Sequence, residues 1–268
     1  MKKILILFAI SILGISLSLA QVNTSVGQRP RPKDTPKVIK DNGIGHRINF
    51  GLVFAPTIDW IFPASTGMER NGISVGMRYG VGLNVNLTKK KNFYVSSGVY
   101  YEQLGGKLKF IDNILVHISE QNFILNTTEV QRNYQANYLT IPLGITLKTN
   151  SINNFFIVGN FGLYNSFRLS AFNADTYTFK NWQTNEPEYW SRQRVKSDEV
   201  ALMKESVYGG VGMEYSISRD CRAGITLNYV HSLTNYFKGK GNAQNNFTHE
   251  DQNAKLGYLE IVLNINFF

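Results

Sequence analysis

The stretch Ile73–Leu87, ISVGMRYGVGLNVNL, decides the fold because its residues alternate in character without a break. Every odd-numbered position is apolar, and every even-numbered position is a glycine, a polar residue or an arginine. Successive side chains of a β-strand point to opposite faces, so the pattern predicts a strand with one apolar face. Its fifteen residues also exceed the five or six that are usual for strands in soluble proteins.

The same alternation recurs along the chain, which gives eight predicted strands in all. The seven further apolar rows lie at 48–60, 93–101, 139–147, 155–169, 211–217, 223–229 and 259–267. The connections between strands are alternately short (88–92, 149–154, 219–220) and long (62–72, 111–136, 170–205, 234–254). An even strand number with this alternation is typical of bacterial outer-membrane barrels, which have short periplasmic turns and longer outer loops.

We therefore predict an all-β fold, an eight-stranded antiparallel up-and-down transmembrane β-barrel over residues 46–268. The apolar rows should face lipid in the outer membrane, and both termini should lie in the periplasm. A soluble sandwich or lipocalin-like barrel also alternates, but it places its apolar face inward and its polar face in water. Here the polar face is rich in glycine and other small residues, which suits the crowded lumen of a small barrel.

The N-terminus has the pattern of an export signal. Lys2 and Lys3 precede an apolar run, which ends in the small-residue exit Ser18-Leu19-Ala20. Residues 1–20 are therefore predicted to be a cleaved signal peptide, with an uncleaved membrane anchor as the alternative. Residues 21–45 contain three prolines and five Lys or Arg, which predicts a basic, extended periplasmic tether.

The net charge of +9 invites a nucleic-acid-binding interpretation, which the distribution of charge does not favour. Six basic residues lie in the segment 21–47, and Lys89–Lys91 adds three in a predicted turn. They form no aromatic-lined patch of the kind that binds single strands, so no nucleic-acid partner is predicted. The single cysteine excludes a disulfide scaffold, and no metal or cofactor is expected.

The polar rows bring charged residues into the predicted lumen. Three arginines face three glutamates there, with Asp59 and Lys148 nearer the rims: Arg78, Arg168, Arg222, Glu102, Glu214 and Glu260. An unpaired buried charge costs several kcal/mol, so these groups should pair. We expect a charge network that plugs the barrel, with a gated ion path as the alternative.

The predicted loop 170–205 combines aromatic and basic residues, which are enriched at binding hot spots. Its candidate binding residues are Phe172, Tyr177, Trp182, Tyr189, Trp190, Arg192 and Arg194. Alternatively, part of this segment extends the neighbouring strands, and the aromatic residues mark the membrane interface.

Catalysis is not predicted. His231-Ser232 ends the seventh predicted strand, and the other candidate groups are scattered through the long loops without a recurring spacing. A base and a nucleophile must lie within hydrogen-bond reach of each other, and nothing in the spacing of these residues indicates such a pair.

The segment Tyr138–Lys148, YLTIPLGITLK, resembles the strand motif of the outer-membrane β-barrel family common in Bacteroidota, which includes PorT-like proteins. The end of the signal at Ala20-Gln21 and the terminal Asn266-Phe267-Phe268 are similar to that family too. The resemblance implies a possible role in type IX secretion and gliding. One departure is that Phe267, and not the terminal Phe268, is in register with the lipid-facing row.

Together these features predict a non-enzymatic envelope or secretion-complex component that acts through its long outer loops or its periplasmic tail. The alternatives are a narrow outer-membrane channel and a surface lipid-modifying enzyme. The expected partners are outer-membrane lipid and an envelope protein complex, and nothing in the sequence determines the oligomeric state.

Overall fold

The structure, a computed structural model, describes residues 48–64, 67–88, 92–118, 121–180, 186–238 and 253–268. The predicted signal peptide (1–20) and tether (21–45) lie outside the described residues and stay predictions. Among the residues that are described, there is no helix with the length and apolar character needed to cross a membrane.

The described residues form ten strands, and the eight long ones close into a ring. In order around the ring these are β1, β3, β4, β5, β6, β8, β9 and β10, and β10 pairs again with β1, every pairing being antiparallel. The predicted eight-stranded up-and-down barrel is confirmed. The strand bounds are β1 Ile48–Pro63, β2 Met68–Arg70, β3 Ser74–Asn86, β4 Phe93–Ile118, β5 Gln121–Lys148, β6 Phe155–Lys180, β7 Pro187–Lys196, β8 Met203–Ser216, β9 Cys221–Ser232 and β10 Ala254–Phe267.

The two ends of the barrel differ in their connections. At one end, here called the turn end, the short connections 87–92, 149–154 and 217–220 join consecutive strands, as predicted. Asn153 and Asn154 have φ of 50° and 70° in the second of these turns, a region that asparagine enters more readily than most residues. The remaining connections, of which 233–253 between β9 and β10 is the longest, lie at the opposite end, here called the loop end. β1 begins and β10 ends at the turn end.

The predicted apolar rows face outward and the polar rows face inward. Outward residues such as Val75 (79% exposed) and Val211 (68%) contrast with the buried Arg78 and Glu260 on the inward rows. The outward apolar rows form a band around the barrel, here called the apolar band. On the strands that continue past it, the band ends toward the loop end at Tyr101 of β4, Leu139 of β5 and Leu169 of β6.

Several strands are longer than predicted. Most of 111–136, predicted to be a loop, belongs to β4 and β5, and 170–205 contains the end of β6 together with β7. The two short strands pair at the sides of this extension, so β2, β4, β5, β6 and β7 form a five-stranded loop-end sheet. The apolar alternation that predicts a lipid-facing strand ends at the apolar band, because the outward side chains beyond it are mostly polar.

A β-bulge in β6 changes which residues face inward. Ser170 pairs with Asn137 and Arg168 pairs with Tyr138, so Leu169 is the extra residue on β6. Even-numbered residues face inward before the bulge, and odd-numbered residues do so after it. Phe172 consequently faces outward, which the uninterrupted alternation of the sequence does not predict.

Candidate functional site

The loop half of the lumen is filled by a packed apolar and aromatic core. Residues 233–238 cross the loop end and are held by backbone hydrogen bonds from Tyr236 N to Ala254 O (2.7 Å) and from Ala201 N to Tyr236 O (2.8 Å). Phe237 forms an isolated β-bridge with Val200, and the rings of Tyr236 and Phe237 are both buried. The core comprises Ile61, Leu104, Leu108, Tyr134, Ala136, Tyr138, Tyr164, Ala171, Val200, Tyr208, Val230, Tyr236, Phe237, Ala254, Leu256 and Tyr258.

A charged layer lies beside this core. The Arg78 guanidinium donates to Glu260 Oε1 at 2.8 Å and lies 3.8 Å from Glu102 Oε1, while Lys204 Nζ lies 3.6 Å from Glu102 Oε2. All four side chains are at most 2% exposed. Tyr164 adds a hydrogen bond to Glu260 Oε1 (2.9 Å). Two acids and two bases therefore neutralise each other inside the barrel.

A second ion pair lies nearer the turn end. Lys148 Nζ donates to both carboxylate oxygens of Glu214, at 2.8 and 2.7 Å. Asn266 Nδ2 donates to Glu214 Oε1 at 3.1 Å. Lys148 is the last residue of β5 and Glu214 lies close to the end of β8, so this pair lies at the rim of the lumen.

The other two predicted arginines contribute in different ways. Arg168 Nη1 donates to the backbone carbonyl of Val200 at 2.6 Å, and not to a carboxylate as predicted. The Arg222 guanidinium lies between the rings of Phe156 (4.3 Å) and Phe268 (4.4 Å). The expectation of one central cluster of six residues is therefore wrong: Arg78, Glu102 and Glu260 lie together, and Glu214 lies apart from them with Lys148.

A cavity of about 90 Å³ lies in the turn half of the barrel, between the charged layer and the rim pair. Its lining is mainly polar and includes Arg78, Lys148, Glu214, Asn160, Asn228 and Asn264. Since a polar cavity of this size has room for a few water molecules, the turn half is suited to hydration. The loop half, by contrast, is filled by side chains.

Two groups of residues that line the lumen are absent from the set predicted from the sequence. Lys204 falls within the predicted loop 170–205, although it begins the inward row of β8. The lumen tyrosines include Tyr100 and Tyr164, whose rings lie 4.8 and 4.4 Å from the Arg78 guanidinium carbon. The sequence does indicate their inward position, because both tyrosines alternate with the apolar row of their strand and lie in line with its polar residues.

The inward face of the loop-end sheet carries an apolar row that crosses all five strands. Cross-strand pairing places Met68, Phe110, Val130, Tyr177 and Trp190 side by side. The Tyr177 and Trp190 rings stack with centroids 5.1 Å apart. Directly opposed side chains of this kind are what stabilises a sheet, so the loop-end sheet has an apolar core of its own.

An ion cluster braces the base of the loop-end sheet. Arg132 makes two hydrogen bonds to Asp175 (2.6 and 2.9 Å) and donates to Glu199 Oε1 at 2.8 Å. Tyr134 donates to Glu199 Oε2 at 2.9 Å. Burial lowers the pKa of Arg132, but Tyr134, Asp175 and Glu199 together outweigh this and raise it. Arg132 therefore stays charged, and it ties β5 and β6 to the segment that follows β7.

The five candidate binding residues of 170–205 whose side chains the structure describes do not form one patch. Trp182 and the side chain of Arg192 lie outside what the structure describes. Tyr189 is 72% exposed, whereas Tyr177 and Trp190 belong to the inward apolar row. Phe172 faces outward, with the Arg194 guanidinium carbon 4.0 Å from its ring centroid.

His231 and Ser232 point to opposite faces of β9. His231 lies on the outward face, where Nδ1 is 3.4 Å from the Tyr229 hydroxyl and the ring is 5.7 Å from that of Phe62. Ser232 is buried and donates to the backbone carbonyl of Thr234 at 2.9 Å. These two neighbours therefore cannot act together as base and nucleophile. Within the described part of the chain, no three His, Cys, Asp or Glu side chains are grouped to hold a metal.

A closed antiparallel ring with an apolar exterior and a charged, polar interior defines a transmembrane β-barrel. The chain belongs to the family described as outer membrane protein beta-barrel domain, which matches residues 20–238. The protein is therefore an outer-membrane β-barrel.

Solved structures with similarity to the chain include small outer-membrane barrels. The attachment invasion locus protein Ail of Yersinia pestis is 9% identical, with 82% of this chain and 98% of that chain covered and a TM-score of 0.30. Neisserial surface protein A is 9% identical (81% and 95% covered, TM-score 0.35). The outer membrane protease OmpT of Escherichia coli is 9% identical (82% and 96% covered, TM-score 0.34). No curated protein matches the chain.

Proposed function

We propose that the protein is a non-enzymatic, non-conducting outer-membrane barrel that binds another envelope protein through its loop-end sheet. The observation that carries the proposal is the continuation of β4, β5 and β6 beyond the apolar band as an ordered sheet. On β5 the outward row beyond Leu139 is polar as far as Glu129, with Asn137, Gln135, Asn133 and Gln131 between. Such a surface is suited to water and to protein partners, and not to lipid.

Strand β7 is the part of this sheet best suited to recognition. It pairs with β6 along one edge, and no strand among the described residues pairs with its other edge. Unpaired strand edges accept extended segments of a partner. Tyr189 and Trp190, 72% and 54% exposed, add aromatic side chains of the type that dominates binding energy. The stack of Trp190 on Tyr177 and the Arg132 cluster hold this edge in place before a partner arrives.

The packed loop half supports the non-conducting part of the proposal. An ion entering from the turn end would meet the Lys148–Glu214 pair and then the buried Arg78–Glu260–Glu102–Lys204 layer. Beyond that layer lies the packed core of buried apolar and aromatic side chains. A narrow channel therefore fits the geometry less well than a closed barrel.

The resemblance of Tyr138–Lys148 to the PorT-like strand motif suggests a partner class to examine first. We propose a component of the type IX secretion and gliding machinery. The support is the motif itself together with a recognition edge on an otherwise closed barrel.

The test is site-specific photo-cross-linking in the native cell. A photoreactive amino acid at Tyr189 should give a reproducible cross-link to an envelope protein, and the same group at Asn133 should not. Asn133 is the matched control because it is exposed on the same outward face, two strands from the edge. Trp190→Ala should weaken the cross-link from position 189. Equal cross-linking from both positions, or none from either, would refute the proposed edge.

A further inference from the structure

We propose that Phe172, Arg194 and Lys196, here called the cationic shelf, bind the phosphate of an anionic lipid head group in the leaflet at the loop end. The three residues share the outward face of β6 and β7, where Phe172 pairs with Lys196. The Arg194 guanidinium lies over the Phe172 ring at 4.0 Å. Both cations are exposed to the surroundings.

The height of the shelf matches the head-group layer of a bilayer. Phe172 lies three residues beyond Leu169, the last outward apolar residue of β6. Because Leu169 is the extra residue of the bulge, Phe172 lies only about two and a half pairing steps beyond it. That is about 8 Å along the strand, which becomes roughly 6 Å along the membrane normal for a strand tilted by about 40°. The head-group layer on each side of the hydrocarbon is about 5–8 Å thick. Leu169 therefore ends in hydrocarbon, and the shelf lies among the head groups.

The surface below the shelf is already a lipid contact. Phe167, Leu169, Leu202 and Met203 are all between 42% and 64% exposed, and Met203 pairs with Phe167 in register. These side chains offer a continuous apolar surface for acyl chains directly beneath the two cations. A molecule with apolar chains and an anionic head thus fits both parts of the surface at once.

The chemistry of the shelf suits a phosphate. A guanidinium can donate two parallel hydrogen bonds to a phosphate, and an ammonium adds a point charge. The aromatic ring beneath Arg194 favours a fixed guanidinium orientation through a cation–π contact. Arg194 and Lys196 together give the shelf two positive charges.

The experiment is native mass spectrometry of the full-length protein in detergent, titrated with phosphatidylglycerol and, separately, with phosphatidylcholine. Wild-type protein should retain phosphatidylglycerol preferentially. In Arg194→Gln/Lys196→Gln, retention should fall by about fivefold for each charge removed, the factor that one basic residue contributes at an anionic surface. Phe172→Leu, which keeps an apolar side chain without the π face, should weaken retention to a smaller degree.

The control is Lys107→Gln/Lys255→Gln, which removes the same number of positive charges from the outward faces of β4 and β10. An equal loss in the control, or no preference for phosphatidylglycerol over phosphatidylcholine in wild-type protein, would overturn the proposal. Displacement of the lipid by an equal concentration of inorganic phosphate would overturn it too, because the shelf would then be a site for free phosphate. Heat-dependent gel mobility of each variant verifies that the barrel is folded.

Discussion

At the residue scale, Leu143 is the most direct test of which face meets lipid. It is 56% exposed in the middle of the outward row of β5, between Ile141 and Ile145. A lysine there should destabilise the barrel by about 2–4 kcal/mol if the position is near the bilayer midplane. Asn133→Lys, on the same face of the same strand beyond the apolar band, should have little effect. Urea unfolding of protein folded into lipid vesicles measures both, and equal effects would mean that the row does not face hydrocarbon.

The charged layer predicts a second effect of single residues. Arg78→Met should destabilise the barrel by about 3–5 kcal/mol, because it leaves the buried Glu260 and Glu102 short of a partner. Arg78→Met combined with Glu260→Gln should cost less than the sum of the two single changes, since the pair is removed together. The same vesicle-based unfolding measurement gives all three values. Strict additivity would show that the two groups do not interact.

The charged layer shows which contacts of single residues can be predicted from the sequence and which cannot. The alternation of the sequence places Arg78, Glu102 and Glu260 on inward rows, and the structure agrees. Arg78 and Glu102 are cross-strand partners in one hairpin, a relation that the sequence can suggest. The contact of Arg78 with Glu260, 182 positions away, depends on how side chains reach across the lumen. The alternation shows which face a side chain lies on, but not which side chains meet across the lumen. For the same reason, the prediction that Arg168 pairs with an acid is wrong: it donates to the Val200 carbonyl.

At the scale of elements, the close contact of β5 with β6 depends on glycine. A Cβ on Gly162 would collide with the Gly144 Cα and the Leu143 carbonyl, both backbone atoms, and with the Tyr208 ring. We expect Gly162→Ala to destabilise the barrel by about 1–3 kcal/mol through overpacking. Gly159→Ala on the same strand should be nearly neutral, because a Cβ there meets nothing within 4 Å. Unfolding in vesicles compares the two, and similar losses would show that the close approach is not the cause.

The full lengths of β4, β5 and β6 could not be predicted from the sequence, although the parts of these strands inside the apolar band could. Inside the apolar band, lipid imposes an apolar residue at every second position, so the period is easy to read. Beyond it, residues such as Gln131, Asn133 and Gln135 face water while Arg132 and Tyr134 face inward. Polar side chains then occupy both faces, and the period disappears although the backbone pairing continues. The bulge at Leu169 adds a change of register that no composition rule reveals.

At the scale of the whole molecule, the packed lumen predicts that the barrel does not conduct ions. Purified protein in a planar bilayer should show no steady conductance, because the apolar core and the charged layer lie in series across the barrel. Glu102→Gln removes the carboxylate that lies 3.6 Å from Lys204 Nζ and should raise the frequency of brief openings without producing a stable pore. Steady channels from the wild-type protein would contradict the closed-barrel proposal.

The orientation of the barrel in the membrane gives the last prediction. The turn end holds short connections, as periplasmic ends do. We therefore expect the turn end to face the periplasm and the loop-end sheet to face outward. An epitope tag inserted after residue 185, between β6 and β7, should be labelled on intact cells. The same tag after residue 90 should be labelled only once the outer membrane has been permeabilised. The reverse pattern would invert the topology, and it would place both the recognition edge of β7 and the cationic shelf on the periplasmic side.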